Sequence, residues 1–150
     1  MNEFIICGFS GIGKSTAEQK HRQIIDLESS GFLHIWESGI CAGRNPEFPK
    51  NYIDALGELS DRNAATFYLL SCHEEVRSEL KARGIDYIIV MPTIHQKNEY
   101  LKRWLKRGSS MDFIVSMEKR WGEMIKSCED DDAPKIYLDE NEYISDLICL

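Results

Sequence analysis

The chain has 150 residues, about one domain by length, and a chain of that size buries enough surface to hold a core without metals or disulfides. Apolar residues make up 43% and charged residues 29%, which excludes global disorder, and no apolar run is long enough for a membrane span. With 18 basic and 25 acidic residues the net charge is −7, which argues against an extended nucleic-acid track or an anionic-membrane binder.

Strand and helix signals alternate along the sequence. The opening segment Met1–Ile6 has an acid and no basic residue, so it does not read as a secretory leader. Asn2–Cys7 is a short apolar run and predicts a strand. Lys14–Gln23 is polar and free of breakers and predicts a short helix, and Ile24–Leu27 predicts a second strand. Gly39–Lys50, with two glycines and two prolines, reads as a loop. Tyr52–Leu59 has helical spacing, Thr66–Cys72 reads as a strand, and His73–Arg83 reads as a helix stopped by Gly84. Ile85–Met91 is the strongest strand signal and Pro92 ends it. Lys97–Arg107 predicts a helix stopped by Gly108, Met111–Cys128 a longer one, Lys135–Leu138 a last strand, and Glu142–Leu150 a terminal helix. The strands are continuous apolar runs, as expected when both faces are covered. The pattern predicts one α/β domain over residues 1–150, a parallel sheet between layers of helices.

The five cysteines form no Cys-x-x-Cys pair, and Cys7, Cys72 and Cys149 lie in apolar stretches. They read as reduced, mostly buried thiols of a cytoplasmic protein. The four histidines are scattered and carry no zinc-binding pattern. Charge is uneven: Lys97–Arg107 holds five basic residues against one acid, a basic island that suggests a local anionic ligand. Asp130-Asp131-Asp132 reads as a solvated loop rather than a cation site.

Gly8-Phe9-Ser10-Gly11-Ile12-Gly13-Lys14-Ser15 fits G-x-x-x-x-G-K-[ST] at every fixed position. The glycines let the backbone turn so that successive amides point at phosphate oxygens. Lys14 reaches the terminal phosphates, the Ser15 hydroxyl ligates Mg²⁺, and the helix that opens with Ser15 and Thr16 offers its amides to the same anion. The motif follows a predicted strand and precedes a predicted helix, the context it requires. A guanine-reading Asn-Lys-x-Asp is missing, and Asp54-Ala55-Leu56-Gly57 lies in helical spacing, so the GTPase reading fails. The strand Phe67–Leu70 ends in Ser71-Cys72 rather than the acid of a motor ATPase.

With these residues the chain resembles the P-loop nucleotide kinases, the nucleoside monophosphate kinases and their relatives, and most of all small kinase-like proteins of bacteriophages. The resemblance is carried by the phosphate loop, by Ile25–Ser30, by Asn45–Tyr52 and by the helix Glu99–Arg107. It implies a three-layer P-loop fold with about five parallel strands, a lid near residues 93–110, ATP and Mg²⁺ as cofactors, and work in the cytoplasm (a host's, if phage-encoded). Asp26 and Glu28 follow a strand and so sit at the sheet edge where α/β proteins bind ligands. By resemblance an acid there positions the acceptor or the metal shell. Arg103 and Arg107, four apart on one helix face, are by resemblance the lid arginines that neutralise the transferring phosphoryl group. Arg44 and Arg77 are candidates for gripping an acceptor phosphate. Trp36, Phe48, Tyr52, Trp104 and Trp121 read most simply as packing or surface residues.

The expected reaction is transfer of the γ-phosphoryl group of ATP·Mg²⁺ to a nucleoside or deoxynucleoside monophosphate. A 5′-hydroxyl end of a nucleic acid, or another small hydroxyl compound, is the alternative acceptor. The rival reading is a protein that binds a nucleotide as a switch or to sequester it, without turnover. The expected partner is a small-molecule nucleotide, with no membrane and no signal for an oligomeric state.

Overall fold

The computed structural model describes residues 3–148. In chain order it has β1 (Phe4–Gly8), α1 (Lys14–Lys20), β2 (Ile24–Asp26), α2 (Ser30–Leu33), β3 (His34–Glu37), β4 (Ile40–Arg44), α3 (Lys50–Asp61) and β5 (Phe67–Ser71). It continues with α4 (Glu74–Ala82), β6 (Ile88–Met91), α5 (Lys97–Lys106), α6 (Met111–Asp130) and β7 (Lys135–Tyr137). Single 3₁₀ turns lie at Ile94–Gln96 and Ile144–Asp146.

The main sheet has five strands in the order β2-β5-β1-β6-β7, all parallel. The chain leaves β1 toward β2 on one side and later crosses to β6 on the other, so the order reverses at β1. A ligand crevice is expected outside the carboxyl ends of strands at such a reversal. Parallel strands need crossovers, and helices cover the faces. Ile6 and Cys7 on β1, Leu69 and Leu70 on β5 and Ile89 and Val90 on β6 are all buried. The architecture is a P-loop NTPase-like α/β fold: the parallel sheet between helices that the pattern predicts, with the five strands that the resemblance implies.

Local chemistry explains the element ends. Gly84 and Gly108 have φ of 69° and 83°, the left-handed conformation that ends α4 and α5. The Ser110 hydroxyl accepts the Phe113 amide at 3.1 Å and caps α6. Ile114, Met117, Trp121, Ile125 and Cys128 then bury one stripe of α6 against the core.

Three expectations are corrected. Gly39–Lys50 is not all loop: β3 and β4 form an antiparallel hairpin around Ser38-Gly39, whose φ values of 52° and 79° are those of a tight hairpin turn. The terminal helix over Glu142–Leu150 is instead one 3₁₀ turn, with Cys149 and Leu150 outside the described residues. Asp131 is not solvated. Its carboxylate is buried and takes Arg77 at 2.8 Å, Tyr87 at 2.7 Å and Lys81 at 3.0 Å. Burial would raise its pKa, but the Ala133 amide at 2.9 Å and these donors hold it well below the usual carboxylate range. Among the thiols, Cys7 and Cys128 are buried, Cys72 is half-buried and Cys41 is exposed on the hairpin, all four unbridged.

Candidate phosphate-binding cleft

The phosphate loop joins β1 to α1 at the carboxyl edge of the sheet, next to the order reversal. Its shape is enforced from several sides. Gly11 and Gly13 have φ of 96° and 92°, which side chains rarely tolerate. A Cβ on Gly11 would stand 3.0 Å from Trp104 Nε1 and 3.1 Å from Tyr100 Cδ2, and one on Gly13 would stand 2.9 Å from Tyr143 Cδ1. The buried rings of Phe9, Tyr100, Trp104 and Trp121 meet edge-on or tilted and fasten the loop to α5 and α6. The Ile144 amide donates to the Ile12 carbonyl at 2.9 Å, so the C-terminal segment straps the loop from the other side.

The loop opens on a cleft of about 1170 Å³ lined by Gly8–Gly11 and Gly13–Thr16. Lys14 Nζ donates to the Gly8 carbonyl at 2.8 Å and the Phe9 carbonyl at 3.4 Å, curling over the loop. Burial lowers its pKa, and the neighbouring Cys72, Asp26 and Glu28 oppose that shift. The first α1 bond within the helix runs from the Ala17 amide to the Gly13 carbonyl at 3.0 Å. The amides of Lys14, Ser15 and Thr16 therefore have no helical partner.

Asp26 and Glu28 reach the same cleft from the end of β2. The Asp26 amide donates to Glu18 Oε2 at 2.7 Å, and Asp26 Oδ1 is a buried oxygen without a partner. Burial pushes the Asp26 carboxyl up to about 6, with Lys14 pulling the other way. Tyr52 explains why the strand ends hold still: its hydroxyl donates to the Leu27 carbonyl and accepts the Ser71 amide at 3.1 Å, tying β2 to β5. Next to them His73 Nδ1 meets Ser71 Oγ at 2.9 Å, and burial lowers the imidazole pKa, which favours the neutral ring.

The two helix arginines divide. Arg107 Nη2 donates to Ser10 Oγ at 3.1 Å and lines the cleft over the loop, where burial lowers its pKa. The Arg103 side chain is 8% exposed, and both of its terminal nitrogens are engaged. It donates to the Gly11 carbonyl at 3.0 Å, the Glu142 carbonyl at 2.8 Å and Glu99 Oε2 at 2.6 Å. Its guanidinium lies between the rings of Tyr100 and Tyr143, 4.5 Å and 3.9 Å from their centroids. Arg103 is a staple between loop, α5 and C-terminal segment.

The two other predicted arginines are also committed. Arg77 is buried and donates to the Cys72 carbonyl, the Ser127 carbonyl and hydroxyl, and Asp131. Burial alone would lower its pKa, yet the bond to Asp131 holds it up. Four of its five N–H donors are engaged, so it is a structural ion-pair partner rather than a free grip for phosphate. Arg44 sits on the exposed hairpin and is ion-paired with Glu75. Trp36 is 49% exposed there, while Phe48, Tyr52, Trp104 and Trp121 pack in the core as their residue types suggest.

Two walls of the cleft were not singled out from sequence. Phe113, Met117, Arg120, Met124 and Ser127 of α6 line it along one face. Their spacing of three and four was the signal, overlaid on the core stripe beside it. Asn141, Tyr143, Ser145 and Asp146 of the C-terminal segment line it as well. Lys102 and Lys106 add charge from α5. Ser15 and Asp26 bring hard oxygens into one cleft, a donor set that suits Mg²⁺.

No helix among the described residues is long and apolar enough to cross a membrane. No family model matches the chain, and no curated protein matches it. Among solved structures the chain is similar to the tunicamycin resistance protein of Deinococcus radiodurans. The identity is 18%, over 97% of this chain and 91% of that one, with a TM-score of 0.62, a likeness of fold across the whole domain.

Proposed function

We propose that the chain transfers the γ-phosphoryl group of ATP to a small acceptor bound over the ends of β2 and β5, and that the acceptor atom is a hydroxyl oxygen. The observation that carries this reading is the pairing, across one cleft, of a complete phosphate loop with the half-buried carboxylate of Asp26, whose Oδ1 is buried without a partner. Lys14 and the loop amides hold the donor phosphates. Ser15 is the residue that would hold Mg²⁺, and the ion, when bound, would neutralise charge on the phosphates. Asp26, with its carboxyl near 6, accepts the hydroxyl proton at neutral pH. Arg107 lies over the loop and meets the charge that develops on the transferring group. Segment 93–110 covers the phosphates through α5, and Arg103 keeps the loop in register beneath it. The α6 face of Phe113, Met117 and Met124 suits an acceptor with an apolar body.

A monophosphate acceptor is the second reading. Arg120 favours it, as the basic residue that α6 adds to the acceptor wall. The engagement of Arg77 and Arg44 elsewhere weighs against it.

The test is γ-labelled ATP with Mg²⁺ against nucleosides, small hydroxyl compounds, a 5′-hydroxyl oligonucleotide and each nucleoside monophosphate. Label on a hydroxyl, lost about 100-fold or more in Asp26→Asn with ATP affinity kept, is the expected result. Label on a monophosphate, insensitive to Asp26→Asn, supports the second reading. ATP binding that Lys14→Ala abolishes, with no transfer to any acceptor, leaves a nucleotide-binding protein without turnover.

A further inference from the structure

The hydroxyl at the end of β5 has an imidazole beside it. Ser71 Oγ and His73 Nδ1 are 2.9 Å apart, and both residues line the cleft. The pair is held from both sides. The Ser71 amide donates to the Tyr52 hydroxyl at 3.1 Å, and the His73 ring packs edge-on against the ring of Phe48, with centroids 6.0 Å apart. Register fixes what lies next to the hydroxyl. Ser71 stands opposite Gly8 of β1, and Asp26 of β2 stands opposite Leu69, two residues before Ser71. Side chains alternate along a strand, so Ser71 and Asp26 share one face of the sheet. A Cβ on Gly8 would point to that same face, and it would stand 3.0 Å from Lys14 Cδ. The lysine that reaches the terminal phosphates therefore crosses the sheet edge about one strand spacing, ~4.8 Å, from the Ser71 position. Where a motor ATPase ends this strand in an acid, the chain presents a hydroxyl in contact with an imidazole.

We propose that Ser71 is an autophosphorylation site: the γ-phosphoryl group of ATP held on the phosphate loop passes to its hydroxyl within the same chain, with His73 as the base. The inference rests on the loop holding ATP, as proposed above, and not on any small acceptor. Ser71 Oγ attacks the γ-phosphorus, and its proton passes to His73 Nδ1 in the tautomer that carries its own proton on Nε2. The bond from the γ-phosphorus to the β,γ-bridging oxygen breaks, and its electron pair leaves on ADP. Phosphoserine and ADP are the products, and no further reactant enters. A serine hydroxyl is a weak nucleophile until a base adjoins it, which the 2.9 Å contact supplies. His73 suits that role because burial lowers its pKa and favours the neutral ring at neutral pH. Ser10 lines the cleft too, but its hydroxyl meets the cationic Arg107, which accepts no proton. The product phosphate would lie over the strand ends, where the proposed small acceptor binds, so the mark would exclude that acceptor.

The test needs only the chain, Mg²⁺ and γ-labelled ATP, with ATP binding measured in parallel by calorimetry. The expected result is an acid-stable label on the chain, mapped by fragmentation to Ser71 in the tryptic peptide Asn63–Arg77. Ser71→Ala is expected to remove the label. His73→Gln, which keeps a polar side chain but takes no proton, is expected to slow labelling about 100-fold with ATP affinity kept. In a mixture with the unaltered chain, the Lys14→Ala chain is expected to stay unlabelled, since transfer occurs inside one cleft. ATP bound without label overturns this inference and leaves the reading of the loop standing. No ATP bound overturns both. A label on another residue, an acid-labile label on His73 itself, unchanged labelling in His73→Gln, or label on the Lys14→Ala chain overturns the inference as well. The peptide map of the unaltered chain decides before any variant is made.

Discussion

Arg103 and Arg107 differ by one helical turn and by everything that matters energetically. Arg103 is buried between two rings and bonded to three segments of chain, so its removal strands carbonyls and Glu99 together. Arg103→Ala is expected to lower unfolding stability by about 3 kcal/mol, the low end for a broken buried pair, in denaturant titration. Arg107→Ala is expected to cost under about 1 kcal/mol of stability yet to lower kcat, since in the proposed transfer it meets charge that develops at the transition state. Asp26 yields a paired prediction from one shift. Its carboxyl is raised to about 6, so the fold disfavours the ionised form above that pH. Asp26→Asn is therefore expected to raise the melting midpoint at neutral pH by a few degrees while removing the base of the proposed transfer. In the unaltered chain transfer should fall as pH drops through about 6. Asp131 carries the opposite sign. Its folded pKa is depressed, so its stabilisation is full above the ordinary carboxylate value and fades as pH falls toward the folded one. Asp131→Asn is expected to lose about 3 kcal/mol at neutral pH and to flatten the acid side of the stability curve.

At the scale of elements, the loop shows how packing and conformation reinforce each other. Gly11→Ala would place a methyl against Trp104 and Tyr100 at a φ of 96°. The conformational cost alone is about 1–2 kcal/mol, and the ring contact adds to it. The variant is expected to lose nucleotide binding, read by calorimetry, together with stability. The elements most legible in the sequence were those whose signals agree: apolar runs for β1, β5 and β6, and glycine stops for α4 and α5. The hairpin was hidden because β4 is exposed throughout and carries a glycine, so it has no apolar alternation to read. Ser38-Gly39 was its local signal, masked by the prolines that follow. The α6 lining was hidden for the reverse reason, since a strong core stripe drew attention from the face beside it. Asp131 sat in a run of three aspartates, and only long-range contact with Arg77, Lys81 and Tyr87 sets it apart.

For the whole molecule, four of the five basic residues of the island, Lys102, Arg103, Lys106 and Arg107, line the cleft at the phosphate loop, a local positive field in an acidic chain. The loop, the strand-end acids and the α/β layering could be read without coordinates because each follows from local pattern. The division of labour among Arg44, Arg77, Arg103 and Arg107 could not, because it depends on partners far away in sequence. One of those distant partners sets a timetable. The Ile12 carbonyl receives the Ile144 amide, and the Tyr143 ring rests on Gly13, so nearly the whole chain separates the loop from its last support. A ribosome delivers the loop well before its strap, and contacts of such separation form late. While the chain is still being synthesised, the loop would emerge long before it could hold its final shape, so nucleotide capture would coincide with completion of the domain.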